Sequence, residues 1–200
     1  MNSAIIVIDP QKGFTSLNGT LGKAFASTEL TRIVEVVDNL AATLPVIARF
    51  AHTAVVTSEY KEHQFDPVRG GPLSRLCVPR LSRDCEINDV LATFPFEHRF
   101  VKSDSSAYSS DAFRNWIISE QDRGVHCFLI AGFLFEHCVL DTAMDLRASI
   151  SKTNHVVVLS DLVASRASKY ATNGPVEQTL RKLKDASVEI VSSDHCCSFN

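Results

Sequence analysis

A continuous apolar run near the start of the chain constrains its fold more than any other feature. Residues 4–8 read AIIVI, and the run stops at Asp9 and Pro10. Unbroken, β-branched hydrophobicity of this length is typical of a strand buried on both faces, as in a parallel sheet. Similar runs recur along the chain, at residues 54–57, 127–131, 155–159 and 188–191, with a weaker one at 98–101.

Amphipathic patterns lie between these runs and predict helices. Apolar residues follow the 3.6-residue period over residues 30–44, and we expect further helices at residues 111–121, 137–150 and 175–183. Pro45 is expected either to end the first helix or to begin a second short one. Alternating strands and helices predict an α/β fold with helices on both faces of the sheet. The 200 residues fit one domain, residues 1–200.

Residues 59–97 differ from the rest of the chain. They hold four of the seven prolines and show little periodicity. A connection this long inside a compact domain is usually functional. We interpret it as a lid or a pocket wall, and the alternative is a surface segment used for contacts between subunits.

The charge balance excludes several classes of partner. The chain has 20 Lys and Arg against 23 Asp and Glu, so no basic excess indicates nucleic acid or an anionic membrane surface. No apolar run approaches the roughly 20 residues that span a bilayer. We interpret the N-terminal residues as a strand rather than a signal peptide, which predicts a cytoplasmic protein. Six cysteines are then expected as free thiols, namely Cys77, Cys85, Cys127, Cys138, Cys196 and Cys197.

Three polar residues follow predicted strands. Asp9 ends the first strand, Lys102 ends the third, and Cys138 follows the fourth near the start of a helix. Ligands of an open parallel sheet bind at the carboxyl ends of its strands, so we expect these side chains to meet. A carboxylate can take a thiol proton, and a nearby cation stabilises a thiolate. Taken singly, each residue also fits a turn, a solvated lysine or a packed cysteine.

Four stretches of the chain resemble the isochorismatase-like cysteine hydrolase superfamily. Residues 8–14 (IDPQKGF) resemble its Asp-x-Gln-x-x-Phe motif, and residues 102–108 (KSDSSAY) its Lys-x-x-x-Ser-Ala-Phe motif. Residues 131–145 (AGFLFEHCVLDTAMD) are similar to its nucleophile segment, and residues 159–165 (LSDLVAS) to the segment that follows. These stretches occur in the family's order and span most of the chain.

The resemblance implies a fold and a set of site residues. It implies a three-layer α/β/α sandwich with a six-stranded parallel sheet, and a homo-oligomer. Asp9 would accept the thiol proton, Lys102 would stabilise the thiolate, and Cys138 would attack a carbonyl. The amides of Leu134 and Cys138 would bind the oxyanion, with a cis peptide bond between Phe133 and Leu134. Three aromatic residues are candidates for substrate binding or for the core, namely Phe14, Tyr108 and Phe133.

The resemblance also bears on metals. Nicotinamidases of this superfamily carry a metal-binding Asp-x-His just after the second strand. Here Glu59 replaces the aspartate and Lys61 the first histidine, which leaves His63 nearby. Because an ammonium group cannot ligate a metal, we expect neither a metal nor another cofactor.

Three functions remain open at this point. The first is a metal-independent cysteine hydrolase that cleaves a small amide, ureido or carbamoyl C–N bond through a thioester. The second is an isochorismatase-type vinyl-ether hydrolase, in which Cys138 has no role. The third is a non-catalytic member of the superfamily that binds another protein.

Overall fold

A six-stranded parallel sheet forms the centre of the computed structural model, which describes residues 2–66 and 70–195. The strand order is β3-β2-β1-β4-β5-β6, and every pairing is parallel. The strands are β1 (Ser3–Ile8), β2 (Ala51–Ser58), β3 (His98–Lys102), β4 (Cys127–Phe133), β5 (His155–Ala164) and β6 (Glu189–Val191). The predicted α/β fold with a six-stranded parallel sheet is confirmed.

Helices cover both faces of this sheet. They are α1 (Lys12–Thr15), α2 (Thr20–Ala24), α3 (Thr31–Ile47), α4 (Asp111–Asp122), α5 (Leu140–Ser149) and α6 (Pro175–Asp185). One core cluster joins Ile5 and Val7 of β1 to α3, and the other joins Ile6 and Ile8 to α4, α5 and α6. Every residue of β1 is buried, which is why its sequence is apolar without alternation. No helix in the described part of the chain is long and apolar enough to cross a bilayer.

Two helix boundaries differ from the sequence-based expectation. Pro45 neither ends α3 nor begins a new helix, because α3 continues to Ile47. Pro45 removes the one hydrogen bond that its own amide would donate, and buried Leu44 and Ile47 hold the last turn on the sheet. The helix predicted from residue 137 begins earlier, as a π-helical turn over Phe135–Val139 that leads into α5.

The long segment over residues 59–97 packs against the loop after β1. The amide of Lys12 donates to the carbonyl of Glu86, and the amide of Asn88 donates to the carbonyl of Pro10, both at 2.8 Å. Within the described part, this segment consists of turns and one short 3₁₀ helix, Arg83–Cys85. It therefore lies at the carboxyl edge of the sheet, beside the residues that end β1.

The strand order brings four strand ends together. Strands β3, β2, β1 and β4 are consecutive neighbours, and their carboxyl ends lead into Lys102, Ser58, Asp9 and Leu134. Because the strands are parallel, these residues lie along one edge. The candidate site is built on this edge.

Candidate active site

Asp9 and Lys102 form a buried ion pair at the carboxyl edge of the sheet. Lys102 Nζ lies 3.1 Å from Asp9 Oδ2, and neither side chain is exposed. Nζ also donates to the hydroxyl of Tyr60 at 2.9 Å and to the carbonyl of Asp104 at 2.8 Å. Burial lowers the pKa of Lys102, but the negative charge of Asp9 opposes this effect, and the pKa stays above its usual value. The lysine is therefore a fixed cation.

The backbone turns sharply at Asp9. Its φ is +50°, in the left-handed region, where aspartate is one of the few tolerated residues besides glycine. Its amide still donates to the carbonyl of Val56 at 2.8 Å, as if β1 continued. The turn redirects the chain into α1 and leaves the carboxylate at the end of the sheet.

Cys138 lies in the π-helical turn that follows β4. The amides of His137 and Val139 both donate to the carbonyl of Leu134, which closes this turn. Cys138 is 6% exposed. Burial and the negative charge of Asp9 raise the pKa of Cys138 to about 12, and the positive charge of Lys102 opposes them. At neutral pH the thiol therefore keeps its proton, with a carboxylate nearby that can accept it.

Two hydroxyl groups that the sequence analysis did not single out connect these residues. Ser58 Oγ lies 2.7 Å from Asp9 Oδ1 and 2.7 Å from the hydroxyl of Tyr60. The Tyr60 hydroxyl in turn lies 3.7 Å from Cys138 Sγ. Ser58 could have been found from the sequence, because it ends β2 as Lys102 ends β3. Tyr60 gave no such signal, since its position depends on the turn after β2.

The glutamine of the first motif holds β2 in place. Gln11 Nε2 donates to the carbonyl of Ser58 at 2.9 Å, and Gln11 Oε1 accepts from the amide of Ser58 at 2.6 Å. Gln11 is fully buried. These two hydrogen bonds fix the backbone that carries the Ser58 hydroxyl, so Gln11 orients the site through Ser58.

The chain before Cys138 passes close to β1. The peptide bond between Phe133 and Leu134 is cis, at the position where the sequence analysis expects one. Gly132 has φ +116°, and a Cβ at this position would lie 2.0 Å from the carbonyl oxygen of Ile8. Only glycine fits this approach of β4 to β1. The oxyanion role of the Leu134 and Cys138 amides stays a prediction.

A cavity of 290 Å³ opens beside Cys138. Its lining is mostly apolar and comprises Phe14, Leu21, Phe25, Tyr60, Phe65, Leu73, Leu76, Ser105, Leu134, Glu136, His137, Cys138 and Arg166. Phe14 is thus at the cavity, as the sequence analysis proposed. Phe133 is instead fully buried in the core, and Tyr108 packs edge-on against Phe113. Neither is among the described residues that line the cavity.

Two charged side chains, Glu136 and Arg166, also lie in the cavity wall, and no sequence signal pointed to Arg166. Glu136 is buried and accepts a hydrogen bond from the hydroxyl of Ser165. The guanidinium of Arg166 stacks on the ring of Phe25, 3.7 Å from its centroid. Arg166 lies beyond β5, which extends five residues further than its apolar run indicates. These two side chains place an acidic and a basic residue in the wall of a mostly apolar cavity.

The residues in place of the nicotinamidase metal ligands do not fit a metal ion. Glu59 and Lys61 are exposed, and His63 Nε2 lies 3.9 Å from a carboxylate oxygen of Glu62. Among residues 2–66 and 70–195, no group of three or more His, Cys, Asp or Glu side chains could hold a metal.

Cys196 and Cys197, expected as free thiols, lie outside the described residues.

One family model matches nearly the whole chain, and several solved structures share its fold. The family model described as Isochorismatase domain matches residues 3–193. An isochorismatase-like hydrolase from Alkaliphilus metalliredigens is 19% identical, with a TM-score of 0.72 over 100% of this chain and 99% of that one. PnC1 from L. infantum, in complex with nicotinate, is 21% identical, with a TM-score of 0.70 over 96% and 93%. A search of curated proteins gives no match.

A further solved structure contains a metal. The pyrazinamidase of Pyrococcus horikoshii, in complex with zinc, is 21% identical, with a TM-score of 0.69 over 96% of this chain and 99% of that one. At these identities the solved structures establish the fold and no more.

Proposed function

Because the chain belongs to the isochorismatase family, whose model spans residues 3–193, we propose that it hydrolyses a C–N bond of a small amide, ureido or carbamoyl compound. The nucleophile is Cys138, and the reaction passes through a thioester. One observation carries this proposal: the buried Cys138 thiol adjoins a buried Asp9–Lys102 pair at the edge of a mostly apolar cavity.

Acylation uses Asp9 first as a base and then as an acid. As Cys138 Sγ attacks the substrate carbonyl carbon, Asp9 takes the thiol proton and the carbonyl oxygen becomes an oxyanion. The amides of Leu134 and Cys138 stabilise this oxyanion. The C–N bond then breaks, Asp9 returns the proton to the leaving nitrogen, and a thioester on Cys138 remains.

Deacylation repeats these steps with water. Asp9 takes a proton from a water molecule, whose oxygen attacks the thioester carbonyl carbon. The C–S bond breaks, and the proton on Asp9 returns to the sulfur of Cys138. Throughout the cycle Lys102 remains charged and offsets the negative charge that moves between Asp9 and the thiolate.

The size of the cavity limits the substrate. A volume of 290 Å³ lies at the lower end of the range for ligand pockets and fits a compound of about one ring. The apolar walls, from Phe14 and Phe25 to Leu76, suit a compact apolar body. The nicotinate bound by the L. infantum protein is a ligand of this size. Glu59 and Lys61 stand where nicotinamidases of the superfamily carry the Asp-x-His metal ligands, so the reaction is proposed to need no metal.

A substrate screen with two cysteine variants tests the proposed function. Purified protein is incubated with small amides, carbamoyl and ureido compounds and isochorismate, and ammonia or pyruvate release is followed. Ammonia release by the wild type, lost in Cys138→Ala and kept in Cys85→Ser, supports the proposal. Isochorismate cleavage that survives Cys138→Ala favours the vinyl-ether hydrolase instead. Absence of turnover on every compound contradicts an enzymatic role on these classes.

The proposed partner is a small-molecule substrate, and the assembly is proposed to be a homo-oligomer. Light scattering coupled to size-exclusion chromatography measures the mass in solution. A mass that is a multiple of 22.0 kDa supports an oligomer, whereas a mass near 22.0 kDa contradicts it. An oligomer would also make residues 59–97 a candidate for subunit contacts.

A further inference from the structure

The hydroxyl of Tyr60 stands between the lysine and the thiol of the site. It accepts a hydrogen bond from Lys102 Nζ at 2.9 Å and lies 3.7 Å from Cys138 Sγ. The side chain is held firmly: its ring packs edge-on against Phe65, and its amide donates to the carbonyl of Cys77 at 3.0 Å. Tyr60 is 4% exposed, so the hydroxyl meets protein atoms rather than bulk water.

Counting protons fixes the direction of each hydrogen bond in the resting site. The Asp9 carboxylate can only accept, so the single proton of Ser58 points to Asp9 Oδ1 at 2.7 Å. The Ser58 oxygen then accepts the proton of Tyr60, also at 2.7 Å. The Tyr60 oxygen accepts from Lys102 and faces the thiol. In this state the Tyr60 hydroxyl donates its proton to Ser58 and therefore does not donate to Cys138.

The directions reverse when the thiol proton reaches Asp9. Protonated Asp9 donates to the Ser58 oxygen, Ser58 donates to the Tyr60 oxygen, and the Tyr60 proton becomes free to point at Cys138 Sγ. No proton is gained or lost, since each hydroxyl keeps one proton and changes only its acceptor. The new sulfur anion thus receives a hydrogen bond in the state in which it is formed.

We propose that Tyr60 is a catalytic residue of this chain that donates a hydrogen bond to the Cys138 thiolate, with Ser58 coupling that bond to the protonation of Asp9. This inference rests on the proposed function, because it takes Cys138 as the nucleophile. It assigns a role in thiol activation to a residue outside the Asp9, Lys102 and Cys138 set.

The surroundings of the two groups support this role. Burial raises the pKa of Tyr60 well above its usual value, so the phenol keeps its proton and stays a donor. A hydrogen bond from Tyr60 lowers the pKa of Cys138, against the larger effects of burial and Asp9. Ser105 Oγ also lies near the sulfur, at 3.9 Å, but its proton is held by Asp141 Oδ2. Tyr60 is therefore the better placed hydroxyl donor.

Alkylation of Cys138 tests the proposal without any substrate. The rate of reaction with iodoacetamide is measured between pH 7 and pH 9 by mass spectrometry of the peptide that contains Cys138. In Tyr60→Phe we expect a rate about tenfold lower at each pH, because a hydrogen bond to a charged group is lost. Tyr108→Phe, which removes a hydroxyl outside the cavity, should react like the wild type. An unchanged or faster rate in Tyr60→Phe overturns the proposal.

If Tyr60→Phe does not fold, a second variant tests the role of the Tyr60 hydroxyl. Site-specific 3-fluorotyrosine at position 60 keeps the shape of the ring and makes the phenol a stronger donor. We expect this protein to react faster than the wild type at pH 8. A rate equal to or below that of the wild type overturns the proposal, because the donor strength of the phenol would then have no effect on the reactivity of Cys138.

The outcomes separate this inference from the proposed function. Slow alkylation of Tyr60→Phe in a protein that hydrolyses no compound of the screen supports the role of Tyr60 and contradicts the proposed reaction. Normal alkylation of Tyr60→Phe in a protein that does hydrolyse amides contradicts the role of Tyr60 and leaves the reaction standing. Where the wild type has turnover, Tyr60→Phe should lower kcat and leave KM nearly unchanged.

Discussion

Lys102 Nζ lies 3.1 Å from Asp9 Oδ2, and both side chains are fully shielded from solvent. The two residues end strands that are separated by β2 in the sheet, so the pair spans the width of three strands. A buried pair of this kind contributes little net stability, but it leaves a costly unpaired charge when one partner is removed. Removing one partner should therefore cause a measurable loss in the free energy of unfolding.

Lys102→Met should lower the free energy of unfolding by about 3–5 kcal/mol, because it leaves the Asp9 carboxylate buried without a counter-ion. Urea denaturation of the purified variant measures this loss. Lys61→Met replaces an exposed lysine and should change the stability by less than about 0.5 kcal/mol. A loss below about 1 kcal/mol in Lys102→Met would show that the pair is not buried as described.

Asp9→Asn should abolish hydrolysis and yet make the thiol more reactive. The negative charge of Asp9 raises the pKa of Cys138, so its removal lets the thiol ionise at lower pH. Alkylation of Cys138 at pH 8 should therefore be faster in Asp9→Asn than in the wild type. Asp122→Asn, at an exposed helix position, serves as the control. Slower alkylation in Asp9→Asn contradicts the electrostatic account of the site.

Gly132→Ala should be far more damaging than Gly124→Ala. Both glycines have positive φ, at +116° and +89°, so both variants incur a backbone cost of about 1 kcal/mol. A Cβ at Gly132 would also meet the carbonyl oxygen of Ile8 at 2.0 Å, whereas nothing lies within 4 Å at Gly124. Thermal unfolding of the two variants compares them directly. Equal losses would mean that β4 does not approach β1 as closely as described.

Removal of metals should leave the activity intact. Lys61 stands where a ligand is needed, and no suitable cluster of ligands occurs over residues 2–66 and 70–195. Protein dialysed against EDTA should therefore keep its rate of amide hydrolysis, with elemental analysis confirming that metal is absent. Loss of turnover that added zinc restores would contradict a metal-independent reaction.

The apolar strands and the residues that end them were predictable from the sequence alone. Unbroken hydrophobicity identifies buried parallel strands, and Asp9 and Lys102 follow from the rule that ligands bind at their carboxyl ends. Tyr60 was not predictable, because its position beside the thiol depends on the turn after β2. Turns show no periodic pattern of hydrophobic residues that would predict such a position. Its partner Ser58 was within reach of the same strand-end rule.

The cavity wall was harder to predict than the strand ends. Phe14 and Phe133 are both aromatic residues in motif segments, but only Phe14 lies at the cavity, since Phe133 belongs to β4 and is enclosed by the core. Arg166 lies just beyond β5, and the long extension of that strand contains the polar residues Ser160 and Asp161, which break the apolar pattern. Residues placed by packing between elements leave little trace in local sequence.

The most direct test of the account is the search for an acyl group on Cys138. The protein is mixed with an amide that it turns over, quenched in acid within milliseconds, and digested for mass spectrometry. We predict that the peptide containing Cys138 gains the mass of the acyl group, that hydroxylamine removes this mass, and that Cys138→Ser does not release ammonia at a comparable rate. Undiminished ammonia release by Cys138→Ser, with no acyl group on Cys138 in the wild type, would contradict the proposed reaction.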